Sequence, residues 1–405
     1  MADIAIYTLT SALHDEGAVD RITAEFIGGI QEALGEDTDL RGNDFSDYGK
    51  RPVDIIFVRT GGTEGLFRQL FPTLLEKGGD RFLLLASGKS NSLAASMEIL
   101  SWLRSKGMKG EILHGDNVYV AGKIKSRLAV EKSRVRLSST ILGVIGKPSD
   151  WLIASESDYD EVIRKSGICL IDIPMEELIS RIPSIRCDEP LPPVPAENSV
   201  KTSWSGAVRI YGALREIIDE YHLNGLTIRC FDLLSAVHNT GCLALAKLNA
   251  EGIPAGCEGD VPALLSMTVA RALTLGSAFQ ANPSRIDAVS GKVVFAHCTV
   301  PFDMTDLYSL DTHFESGIGV GIRGHIPEGP VTVFKVSGDL SRMVAFEGSI
   351  VRNLCESDLC RTQIEVSLGS DACKYFLTSP IGNHHVIIPG HHKAALEDLI
   401  QAINS

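Results

Sequence analysis

This sequence of 405 residues lacks the features that most quickly assign a chain to a class. It has no block of Lys and Arg, and 51 acidic residues outweigh 38 basic ones, for a net charge of −13. That balance argues against a nucleic-acid surface or an anionic membrane surface as partner. It has no long uninterrupted apolar run: the most apolar stretch, Val261 to Phe279, carries Arg271 and several hydroxyls, so no membrane span is expected. Asp3 stands where a secretory signal would have basic residues, and no signal is expected. The nine cysteines are scattered without a C-x-x-C pair, which reads as reduced, mostly structural thiols of a cytoplasmic protein. Gly88-Lys89-Ser90 lacks the upstream glycine of a nucleotide-binding loop, because position 83 is Leu83.

What is present is a large apolar fraction, 44%, with ordinary charge, enough for more than one core. The predicted fold is two doubly wound α/β domains with parallel sheets, followed by an antiparallel, barrel-like β-rich domain. The first α/β domain is expected over 1–137. Its apolar strand candidates Asp3–Thr10, Val53–Arg59, Phe82–Ala86 and Gly110–His114 alternate with helical patterns, and unbroken apolar strands between helices imply a parallel sheet covered on both faces. The second, over 138–289, has strands at Thr140–Gly146, Ile168–Ile173 and Leu226–Phe231 and helices at Ser203–Tyr221 and Cys242–Glu251. Pro190, Pro192, Pro193 and Pro195, in the stretch from Ile182 to Pro195, mark a surface connection. Over 290–405 the texture changes to short strands spaced by Gly, Pro and Asp turns, with one clear helix, His391–Ile403.

The chain is organised around Gly256-Cys257-Glu258-Gly259-Asp260-Val261-Pro262, read as a strand end turning into a helix whose first turn tolerates Pro262. In α/β proteins ligands bind at the carboxyl ends of strands. Asp260 there also suits a helix cap, whereas Glu258, further back, needs a partner or a cation to stay ionised. His297 and the pair His384-His385 fall at other predicted strand ends, and a mixed carboxylate–imidazole set suits Mn²⁺, Fe²⁺, Co²⁺ or Zn²⁺ better than Ca²⁺. Neighbours in a strand face opposite ways, so only one of His384 and His385 should face a given site. A hydrogen-bonded structural histidine is the plain alternative for His297.

The stretch Leu243 to Asp260, with Ala296-His297-Cys298-Thr299-Val300-Pro301, His313-Phe314-Glu315-Ser316-Gly317 and Gly382-Asn383-His384-His385, resembles the L-fucose isomerase / L-arabinose isomerase superfamily from Ser138 onward. The resemblance implies a metal-dependent aldose–ketose isomerase of a small-molecule sugar. A divalent metal, usually Mn²⁺, would bind the open-chain sugar while a proton moves between C1 and C2 through an enediolate. Glu258 would be ligand and proton carrier, and His297 with one of His384 and His385 would complete the imidazole ligands. The second acidic ligand is replaced by Asn282, and an amide is no base near neutral pH. Asp260 would then take the second proton-transfer role, or the chain would be a related epimerase or a non-catalytic sugar-binding or regulatory protein. Gln280 and Asn383 flank the ligand positions as substrate-binding candidates. The resemblance also implies a homo-oligomer in which Arg59 and Glu64 face a neighbouring subunit's sugar.

Overall fold

The computed structural model describes residues 2–404. The chain divides into two compact units, one running to Lys132 and the other beginning at Ser133. The first is built on strands β1 (Ile4–Leu9), β2 (Thr38–Gly42), β3 (Val53–Val58), β4 (Arg81–Ala86) and β5 (Lys109–Leu113), all parallel, in the order β2-β1-β3-β4-β5. Alternate residues of one apolar run serve opposite cores. Ile4, Ile6, Ile55 and Phe57 pack with Ile30, Leu34 and Ile124 on one face, while Ala5, Tyr7, Ile56 and Val58 pack with Phe67, Leu74 and Leu103 on the other. Burial on both faces is why these strands read as continuous apolar runs. Edge strand β2 is only half buried and polar, so it carries no such signal.

The second unit begins with a four-stranded parallel sheet, β6 (Ile141–Ile145), β7 (Cys169–Ile173), β8 (Gly225–Ile228) and β9 (Ala255–Gly256), ordered β7-β6-β8-β9. The strand expected to reach Phe231 ends at Ile228, because Cys230 opens a helix, Cys230–Val237. The rest is antiparallel: β10 (Phe279–Asp287), β11 (Lys292–His297), a hairpin of β12 (Leu307–Asp311) and β13 (Gly321–His325), β14 (Gly329–Val336), β15 (Met343–Asn353), β16 (Thr362–Ser367) and β17 (His385–Pro389). Six of these close a barrel in the order β10-β11-β16-β15-β14-β17, so the expected fold class is observed. Phe279, Phe295, Val333, Ile364 and Ile387 belong to its core. Beside the expected terminal helix, observed as Lys393–Ile403, lies a second one, Ser370–Thr378. Among the described residues no helix is long and apolar enough to cross a membrane.

Edge strand β9 has only two residues, and side chains do the work of a longer ladder. Asn249, buried at the end of the helix Cys242–Ala250, donates to the Ala255 carbonyl at 2.8 Å and accepts from the Ala255 N–H at 2.9 Å. Two residues on, Gln280 of β10 accepts from the Cys257 N–H at 2.8 Å and donates to its carbonyl at 3.3 Å. Two buried amides thus stand in for a missing strand just before the turn that carries Glu258. Replacing Asn249 by Ala leaves two buried backbone groups unpaired, at about 1–3 kcal/mol each. Urea unfolding of Asn249→Ala should show a loss of about 3 kcal/mol. A loss below about 1 kcal/mol would mean that the turn does not lean on this side chain.

Candidate metal centre

Three residues from separate elements meet at one end of the barrel. His297 ends β11 and His384 precedes β17, and both strands flank β10, where Asn282 pairs with Ala296 and Ala281 with His385. The register therefore delivers both imidazoles, with Asn282 between them, to the same rim. Glu258 comes from the turn after β9. Ligand atoms of Glu258, His297 and His384 all lie within 4.8 Å of one another, a grouping that can hold a metal ion. Glu258 Oε1 is 3.9 Å from His297 Nε2 and 3.6 Å from His384 Nε2. These gaps are too long for good hydrogen bonds. Ligands sharing one ion at about 2.1 Å stand roughly 3–4 Å apart, which is the spacing seen here.

The turn holds Glu258 in an unusual conformation. Its φ is 61°, in the left-handed region that non-glycine residues rarely adopt, and Gly259 follows at 60°. A Cβ on Gly259 would stand 2.9 Å from Ser149 Oγ and 3.0 Å from the Lys147 carbonyl, so a glycine is required there. Ser149 Oγ donates to the Glu258 carbonyl, and the Glu258 N–H points at Cys230 Sγ, 3.1 Å away. The turn ends at Asp260, which caps the helix Val261–Thr274 by accepting from the Ala263 N–H at 2.8 Å. The expectation of a strand end turning into a Pro-containing helix start holds.

Asp260 does more than cap. Its Oδ2 accepts from Lys335 Nζ at 3.3 Å and meets His384 Nδ1 at 2.9 Å, and all three side chains are almost completely buried. Burial opposes its charge, but Lys335 and His384 outweigh that and bring its pKa down to about 2. Burial likewise disfavours a charged His384, yet Asp260 and Glu258 hold its pKa up at about 9. Glu258 is held well below the usual carboxylate range, the two imidazoles outweighing its burial. With Nδ1 committed to Asp260, His384 Nε2 faces Glu258 and is buried without a hydrogen-bond partner among the described residues. A buried ring nitrogen left unpaired is costly, and a cation beside it would satisfy it. His297 is oriented in the same manner, Nδ1 meeting Thr299 Oγ1 at 2.9 Å and leaving Nε2 for Glu258.

The other sequence candidates fall in varied places. His385 points away from the triad: Nε2 meets the Tyr375 hydroxyl at 3.0 Å, Nδ1 meets the Asn383 carbonyl at 2.9 Å, and burial lowers its pKa to about 3. His384 is thus the member of the pair that faces the site. Asn282 lines the cavity beside Glu258 and His297 and accepts from Asn383 Nδ2 at 3.1 Å. Gln280 is spent on the Cys257 backbone, and Asn383 is exposed. In the first unit Arg59 is buried and paired with Asp20 at 2.5 Å, while Glu64 sits half-buried in the first turn of the helix Glu64–Gly78. Lys335 is absent from the sequence-level candidates, although a lone lysine in the apolar run Val331 to Val336 is its signal. The cavity holds only about 40 Å³, room for little more than an ion with a water, and no Lys or Arg lines it among the described residues.

One consequence is a pH dependence in chelator-treated protein. The folded-state pKa of His384, about 9, lies above its ordinary 6.5. Its contribution to stability is therefore complete below pH 6.5 and is lost as the pH rises through 9. The difference is about 3 kcal/mol by linkage. Denaturant midpoints measured with EDTA should fall between pH 6 and pH 9.5, and His384→Gln should flatten that fall. An equal fall in the variant would assign it to other groups.

Comparison with known proteins gives two relatives. A sulfoquinovose isomerase of Alkalicoccus urumqiensis is 25% identical over 280 residues, covering 64% of this chain and 62% of that protein. Another sulfoquinovose isomerase, of Clostridium sp. (strain MSTE9), is 25% identical over 224 residues, covering 53% of this chain and 49% of that protein. The chain thus spans about half to six-tenths of the curated relatives it matches. No family model matches it. The similarity is to sugar isomerases, and it is partial in both directions.

Proposed function

We propose that this protein is a divalent-metal-dependent sugar isomerase that moves a proton between C1 and C2 of an open-chain sugar. The observation that carries the reading is His384 Nε2, buried and unpaired, aimed with His297 Nε2 at the Glu258 carboxylate. Glu258, His297 and His384 would hold the ion, with Mn²⁺ suited to such a mixed donor set and Asn282 able to add its amide oxygen. A bound divalent ion supplies positive charge that polarises the two sugar oxygens flanking the transferred proton. Glu258 is the carboxylate of the triad, and we assign it the proton transfer. Asp260 lies behind His384 with both oxygens engaged, so we assign it to fixing that ring. The similarity to sulfoquinovose isomerases supports a sugar isomerase of this kind.

The test is Mn²⁺ titration together with ²H incorporation from ²H₂O, using sulfoquinovose and a set of neutral aldoses. The parent should bind Mn²⁺ and exchange at least one of them, and Glu258→Gln should weaken Mn²⁺ binding and abolish exchange. A Glu258→Gln protein that matches the parent in both would sink the assignment. Asn282→Asp, adding an anion beside the triad, should tighten Mn²⁺, since opposite charges that close attract by about several kcal/mol before desolvation is subtracted. Unchanged affinity would remove Asn282 from the ligand set. The cavity is too small for a whole sugar, so we infer that a neighbouring copy supplies the remaining walls. Sedimentation of a monomer at micromolar concentration would remove that inference.

A further inference from the structure

Cys230 and Cys257 follow neighbouring parallel strands β8 and β9, whose register sets Thr227 opposite Gly256. Both thiols therefore emerge at the carboxyl edge of the sheet, and their sulfurs stand 3.2 Å apart. They line the same cavity as Glu258 and His297, together with Cys242, Cys298 and Cys360. Cys257 is buried, whereas Cys230 is only half-buried. A disulfide needs about 2.05 Å between sulfurs, so closing this pair takes a shift of about 1 Å rather than a rearrangement. The same Cys230 sulfur also accepts the N–H of Glu258, which is held at a φ of 61°.

We propose that Cys230 and Cys257 form a reversible disulfide that responds to hydroperoxides and loosens the Glu258–His297–His384 centre. Closure proceeds in two balanced steps with hydrogen peroxide as oxidant. The Cys230 sulfur attacks one peroxide oxygen, the O–O bond breaks and water leaves, giving the sulfenic acid. The Cys257 sulfur then attacks the Cys230 sulfur, the S–O bond breaks, and a second water leaves with the remaining thiol proton. Two electrons pass from the sulfur pair to the peroxide. In closing, the Cys230 sulfur moves towards Cys257 and is no longer placed to accept the Glu258 N–H. Of the two contacts made to the Glu258 backbone itself, only that of Ser149 then remains, on a residue with a conformational preference to leave the left-handed region. The Glu258 carboxylate loses its fixed position relative to the two imidazoles.

The coupling rests on the metal reading above, and the experiment separates the two. The full chain is treated with a few equivalents of hydrogen peroxide, remaining thiols are alkylated, and peptide masses locate the bond, while Mn²⁺ titration is run on reduced, oxidised and re-reduced protein. The expected result is a Cys230–Cys257 disulfide, an Mn²⁺ affinity lower by about tenfold or more, and recovery with dithiothreitol. Cys257→Ala, in which Cys230 can go no further than a sulfenic acid, should form no disulfide and should lose clearly less Mn²⁺ affinity after peroxide than the parent, and Cys257→Ser serves equally if the alanine variant is poorly folded. A bond mapped between Cys298 and Cys360 instead, or a Cys230–Cys257 bond with unchanged Mn²⁺ affinity, overturns the proposal. Reduced protein that takes up no Mn²⁺ overturns the metal reading and the coupling with it, while the mapped bond still decides whether the dithiol closes.

Discussion

The second unit is held to its purpose by one buried carboxylate. Asp260 caps the helix Val261–Thr274 with Oδ1 and gathers Lys335 and His384 on Oδ2. Those partners come from β14 and from the entry to β17, so the contact fastens the end of a parallel sheet to the barrel. An ionised group with no exposure persists only when its partners are in place, and removing one partner of such a pair typically costs about 3–5 kcal/mol. Geometry follows from that energetic demand. Because Nδ1 of His384 is committed to Asp260, Nε2 has one direction left, and that direction is towards Glu258. A carboxylate behind a histidine is a common way to fix the ring and raise its basicity for a ligand role.

Glu258 shows the opposite economy. Its backbone sits in a region that L-residues avoid, and conformations of that kind persist where the surroundings over-determine them. Here the surroundings are named: Ser149 on its carbonyl, Cys230 on its amide, Gly259 after it, and Gln280 holding the residue before it. The strain aims the side chain at two imidazoles instead of letting it continue along the edge of β9. A rigid barrel rim supplies the histidines and a tensioned turn supplies the carboxylate.

How much of this could be read from the chain depends on the kind of signal. Strands packed on both faces, such as Val53–Val58, announce themselves through apolar composition, and the turn at Glu258–Pro262 through glycine, acid and proline in order. Strand β10 is harder to see, because Pro283 breaks both the alternation and the ladder, and the register shifts between Pro283 and Arg285. That strand sets His297 and His384 side by side, so their proximity could not be derived from spacing. The opposed faces of His384 and His385 followed from strand geometry alone. Lys335 leaves a trace as a lone charge in an apolar run, but its partner and the meeting of Cys230 with Cys257 could not be read, because these pairs are 75 and 27 residues apart and no local pattern encodes such meetings.

The charge count at the triad gives Asn282 a sense that spacing alone does not. Glu258 contributes one negative charge and the two imidazoles, when neutral, none. A divalent ion held by that set would keep one net positive charge, and a carboxylate at position 282 would cancel it. Asn282 is not idle, since its Oδ1 accepts from Asn383 at the entry to the His384 segment. An amide there preserves the packing of the rim and leaves the ion's charge uncancelled, at the cost of weaker binding. In a small cavity whose described walls include no Lys or Arg, that surplus would be the nearest positive charge available to an anionic intermediate. The amide can therefore favour the chemistry proposed for this site rather than mark its loss. Retention of the ion would then fall to the rigidity that Asp260 and Lys335 impose on His384.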